Sequence, residues 1–132
     1  MSEQANEVPR VPKGELVIRT IAMPADTNAN GDIFGGWLMS QMDLGGAVLA
    51  RTVARSRVVT VAVEGMTFLH PVLVGDTVAC YATVLRTGRT STRIAVEVWV
   101  QHFTDVSQVC VTEGVYTYVA VDDAGKPRPV QR

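Results

Sequence analysis

Two features of this chain could act together chemically: one carboxylate inside an apolar helix, and a glycine-rich loop leading into the same helix. Asp43 lies in GWLMSQMDLGGAVLARTVA, where at about 100° per residue its nearest neighbours are Met39, Gly46, Ala47 and Ala50. None of these can neutralise it. Burying an unpaired carboxylate is costly, so the fold must either hydrogen-bond Asp43 or open a cavity beside it. Gly46 and Ala47 are small enough to leave that room. The plainer alternative ties Asp43 to a backbone amide or to an arginine from another segment.

Just upstream, PADTNANGDIFGGW is polar and carries three glycines. Gly35 and Gly36 precede Trp37 with no Ser, Thr, Asp or Asn to cap the first turn, so free N–H groups point outward at the positive end of the helix dipole. Such donors can hold an oxyanion, and a carboxylate can take a proton from water. A tight, packed turn is the simpler reading of the same glycines. Gly36 and Asp43 are seven positions apart, or about 10 Å along an ideal helix. A single carbonyl carbon does not reach both ends of that span. The spacing therefore predicts a base from one copy of the chain and amide donors from another.

Cations for phosphate groups are available in RTGRTS, with Arg86, Gly88, Arg89, Thr90 and Ser91 around a turn. Lys126 and Arg128 in GKPRP form a weaker second candidate. A solvated hairpin with a turn glycine is the simpler reading of RTGRTS. His70 and His102 lack metal-ligand spacing and read as structural. Cys80 and Cys110 form no CxxC pair and read as buried, reduced thiols. Asp26 and Asp32 read as braces for their loop, and Trp37 and Trp99 as core or interface anchors; Glu64 could reach the cleft, though a surface or ion-paired role is the simpler reading.

The elements that must position these groups follow from periodicity. Gly36 to about Ala54 has no proline and is rich in helix formers, which predicts one long helix. Its apolar residues surround the axis, as in a helix enclosed by other structure. VVTVAVEGMTFL, DTVACYATVLR, TSTRIAVEVWVQHF and SQVCVTEGVYTYVAV read as four strands, and GELVIRTIAM as a fifth. The turns HPVLVGD, RTGRT, FTDVSQ and DDAGKP suggest consecutive antiparallel pairing. In the third strand Ile94, Val96, Val98 and Val100 share a dry face that the helix must cover. The expected architecture is α+β, an antiparallel sheet of about five strands around one central helix. A single domain over 14–125 with tails at 1–13 and 126–132 fits a chain of 132 residues.

Composition excludes several classes. Twelve basic and thirteen acidic residues give a net charge of −1, which provides no field for a nucleic acid. With no apolar leader or membrane-length run, the chain is expected in the cytoplasm.

PADTNANGDIFGGWLMSQMDLGGAVLA resembles the signature of the acyl-CoA thioesterases of the YciA-type and brain-type cytosolic hydrolase family. VEGMTFLHPVLVGDTV, RTGRTS and VAVDDAGKPRP are similar to its later segments, so the resemblance runs from about Leu16 onward. It implies a hot-dog fold, hydrolysis of acyl-CoA to free acid and CoA in fatty acid metabolism, and a site shared across a homodimer that assembles into a hexamer. It also implies that Asp43 is the catalytic carboxylate, that Asn28 is its partner, and that RTGRTS contacts the coenzyme. No metal or redox cofactor is implied. A thioester is already activated, so general-base hydrolysis by Asp43 is expected, with anhydride formation as the variant. Two alternatives differ in kind. A hot-dog dehydratase would need a histidine facing the carboxylate, and a noncatalytic acyl-CoA sensor would bind without turnover.

Overall fold

The computed structural model describes residues 10–130. β1 (Glu15–Ile21) leads through a short 3-10 turn (Pro24–Asp26) into helix α1 (Gly35–Ala54). β2 (Arg57–Phe68), β3 (Thr77–Thr87), β4 (Ser91–Gln101) and β5 (Val109–Val121) follow. The strands form one antiparallel sheet in the order β1-β3-β4-β5-β2. α1 lies across one face and touches all five strands.

The predicted helix and strands are all present, but pairing is consecutive only from β3 to β5. β2 pairs with β5 at the far edge, not with β3. Residues 69–76 therefore cross three inter-strand gaps, about 14 Å. An eight-residue link can span roughly 26 Å, so the turn-like sequence there has ample length to return across the sheet.

The alternation in β4 sorts as expected: Ile94, Val96, Val98 and Val100 are at most 1% exposed and face α1. The helix is enclosed on one side only. Leu38, Met42, Gly45, Gly46, Ala50 and Ala54 are buried, whereas Leu44 and Val48 project outward at 59% and 47% exposure. β2 is exposed along most of its length, including Val59, Val61 and Val63, and its outer edge has no neighbour among the described residues.

The ends depart from the expected tails. Arg10 bridges Glu97 and Glu113, which face each other across β4 and β5, and lies over the Trp99 ring. At the other end Arg128 and Val130 donate backbone hydrogen bonds to Ala120 and Arg89, and Val130 is buried. Both segments are held because they satisfy charges and carbonyls that the sheet leaves open. Residues 1–9 and 131–132, the remainder of the expected tails, lie outside the described residues.

Candidate active site

Asp43 sits midway along α1 and is half-buried. Its Oδ1 accepts a hydrogen bond from the Thr60 hydroxyl on β2 at 2.6 Å. The Tyr118 hydroxyl also lies against this carboxylate, which is otherwise open on its half-exposed side. The space that small neighbours were expected to leave is filled. A β-carbon on Gly46 would lie 2.3 Å from the Tyr118 hydroxyl, so glycine lets that ring reach the helix. Tyr118 donates to the Asp43 carbonyl at 2.7 Å and Tyr116 to the Met39 carbonyl at 3.0 Å.

These tyrosines are two positions apart on a strand, and their acceptors are four apart on a helix. Two strand residues advance about 6.8 Å and four helical residues about 6.0 Å, so the two spacings match and both rings register against one helix face. Their centroids are 6.3 Å apart. Burial, with the Asp43 carboxylate adding to it, pushes the Tyr116 hydroxyl up to about 12 and Tyr118 further still. Both remain neutral donors. Thr60 and Tyr118 were not legible as site residues, because a threonine and a tyrosine in β-rich runs are ordinary strand residues.

The loop before α1 is built around Asn28. Its side-chain Oδ1 accepts from the N–H groups of Asn30 and Asp32, and Asn28 N–H donates to the Asp32 carbonyl at 2.7 Å. Gly31, at φ 85°, turns the chain inside this ring. The Asn28 side-chain amide nitrogen donates to no described residue. Asp26 braces the loop through the Met23 amide, while Asp32 does so only through its backbone. Phe34 provides no side-chain cap, and Gly35 and Gly36 N–H have no partner among the described residues. A β-carbon on Gly35 would sit 3.0 Å from the Phe68 ring, so glycine permits that packing.

Asn28, Gly35, Leu38, Phe68 and His70 line an open pocket of about 410 Å³ that does not include Asp43. Gly35 and Asp43 are eight helical positions apart, about 12 Å. The free amides and the carboxylate are thus held apart within one chain.

Of the phosphate candidates, Arg86, Gly88 and Ser91 share a small pocket of about 160 Å³ with Arg93 and Thr117. Arg89 and Thr90 lie outside it and give their carbonyls to Val130 and Ala120. Lys126 and Arg128 are fixed through their backbone, Lys126 to the Asp122 carboxylate and Arg128 to Ala120. Glu64 pairs with Arg93 at 2.6 Å. His102 bonds the buried Asp76 carboxylate at 2.6 Å, a structural tie, and His70 is exposed. Cys80 and Cys110 are free and buried, and burial pushes the Cys80 thiol up to about 12. Among the described residues no cluster of His, Cys, Asp and Glu could hold a metal, and no helix is long and apolar enough to cross a membrane.

Comparisons with known proteins show the family and the fold. Residues 30–105 match the Thioesterase superfamily. The acyl-CoA thioester hydrolase YciA of Salmonella typhimurium is 62% identical over 122 residues, covering 90% of this chain and 92% of the relative. The crystal structure of the hexameric thioesterase y2039 from Yersinia pestis superposes with a TM-score of 0.88 at 63% identity, covering 93% of this chain and all of that one. The structure of HI0827, a hexameric broad-specificity acyl-coenzyme A thioesterase, superposes with a TM-score of 0.89 at 56% identity, covering 93% and 85%.

Proposed function

Given that the chain belongs to the thioesterase superfamily and has its hot-dog fold, we propose that it hydrolyses acyl-CoA thioesters to the free acid and CoA. The observation that carries this reading is the pair of groups on one helix, a half-buried carboxylate oriented by Thr60 and a helix N-terminus with free amides. In the proposed reaction Asp43, its Oδ1 fixed by Thr60, orients a water and takes its proton. Gly35 or Gly36 N–H meets the developing oxyanion. Asn28, its Oδ1 already committed to the loop, offers its amide hydrogens to the carbonyl or the water. The thioester supplies its own leaving group, so the reaction needs no metal or redox cofactor.

Because the half-sites are separated along α1, the working unit is a homodimer. Two copies meeting at the open β2 edge would bring the Asp43 of one toward the loop of the other. The hexameric relatives support a further assembly of three such dimers, working in the cytoplasm. The coenzyme phosphates would lie near Arg86, Gly88 and Ser91, with Arg89, Thr90, Lys126 and Arg128 around them. The test is thiol release from acetyl-, butyryl- and palmitoyl-CoA by wild type and Asp43→Asn. The variant is expected to keep its fold and lose most turnover, and near-normal kcat would sink the assignment.

A further inference from the structure

The net charge hides an asymmetry. Arg51, Arg55, Arg57, Arg86, Arg89, Arg93, Lys126 and Arg128 all belong to the end of the fold where α1 finishes, β2 begins and the β3–β4 hairpin turns. Three of them converge in one place. Arg51, Arg55 and Arg57, with Val48, Thr52 and Ser56, line an open pocket of about 480 Å³.

We propose that Arg51, Arg55 and Arg57 add a second phosphate-binding subsite for the nucleotide end of the coenzyme, beside the cations of the β3–β4 hairpin and the C-terminal segment named above, an inference that rests on the acyl-CoA reading. None of the three has an acidic partner within ion-pair distance among the described residues. Asp122, next to the Val121 that pairs with Arg57, turns its carboxylate onto the Ala124 and Lys126 amides instead. Arg51 and Arg55 are four apart, a like-charge spacing that disfavours a helix. The helix dipole accounts for a cation in the last turn. It does not account for a third arginine arriving from β2, nor for the residue at the helix end. Arg55 is the one non-glycine residue described in the left-handed region, at φ 54° and ψ 40°, where glycine or asparagine is usual. The backbone thus holds a cation where another residue would sit more easily.

Position fits the substrate. Arg51 lies eight residues beyond Asp43 on the same helix, and Arg55, the cap that ends it, twelve, about 12 and 18 Å along the helix axis. A ligand with its thioester at Asp43 and its phosphates at the end of an extended arm needs cations displaced in this way. The guanidinium forks suit phosphoryl oxygens better than ammonium groups would.

The experiment compares wild type, Arg55→Gly and the Arg51→Ala/Arg57→Ala double variant on two substrates carrying the same acyl group. These are butyryl-CoA and the butyryl thioester of N-acetylcysteamine, which has no phosphate. The variants are expected to raise KM for butyryl-CoA roughly ten- to a hundredfold with kcat nearly unchanged, and to process the phosphate-free thioester like wild type. Inorganic pyrophosphate should compete with butyryl-CoA in wild type and lose that effect in the double variant. An unchanged KM for butyryl-CoA, or an equal loss on both thioesters, overturns the subsite. A wild type that cleaves neither thioester overturns acyl-CoA hydrolysis itself. In that case calorimetric binding of CoA decides the subsite separately, equal affinity in wild type and double variant counting against it.

Discussion

Thr60 on β2 holds Oδ1 of Asp43 on α1 at 2.6 Å, so the strand with the open edge also sets the orientation of the carboxylate. Thr60→Val keeps the side-chain shape and removes the donor. Turnover of acyl-CoA is expected to fall roughly tenfold, and Thr60→Ser should restore most of it. Equal kcat in the valine and wild-type enzymes would show that the contact is idle.

Separated half-sites make a prediction about mixtures. Asp43→Asn and Asn28→Ala are each expected to be nearly inactive alone. When the two chains are unfolded together and refolded, mixed dimers contain one site with both defects and one with neither. Activity should then recover to roughly a quarter of wild type, since random pairing puts half the dimers in the mixed form with one intact site each. No recovery, with mixed dimers verified by mass spectrometry, counts against a shared site.

Gly46 is where helix and sheet come closest at the carboxylate. In Gly46→Ala the new methyl group must displace the Tyr118 hydroxyl and break its bond to the Asp43 carbonyl. The expected cost is about 1–3 kcal/mol, read by denaturant melts, with a loss of kcat larger than that of Tyr118→Phe. A Gly46→Ala protein as stable and active as wild type would refute this packing account.

Alkaline stability follows from buried acids held neutral. Burial raises Cys80 from 9.0 to about 12 and Tyr116 from 10.0 to about 12. Each folded value lies above the unfolded one. Their contribution is therefore complete below the unfolded value and is lost as pH rises toward the folded one. The melting temperature should fall steadily between about pH 9 and about pH 12. A flat profile over that range is the contrary result.

The sequence exposes some of these relationships and conceals others for definite reasons. α1 and the strands are legible because their periods differ, and Asp43 because a charge interrupts an apolar helix. The loop glycines are legible because no polar residue caps the turn. The position of β2 is not, since period-2 alternation marks a strand but carries no information on which neighbour it joins. Thr60 and Tyr118 share that limitation: each touches Asp43 only through pairing across the sheet. Residues 126–130 look like a tail because proline and basic residues make up four of the five, yet the Arg128 and Val130 amides meet carbonyls of Ala120 and Arg89. The arginine cluster escapes notice in a net charge of −1, which averages over the whole surface.

β2 has a consequence for handling the protein. A strand that shows Val59, Val61 and Val63 to water and whose outer edge meets no other strand among the described residues is poorly suited to life as a single copy. Its partner works as a ligand would, so folding and association are linked by mass action. Dilution should lower the melting temperature along with specific activity, and a substitution that weakens the β2 edge should register as a shift in the concentration at which both are lost.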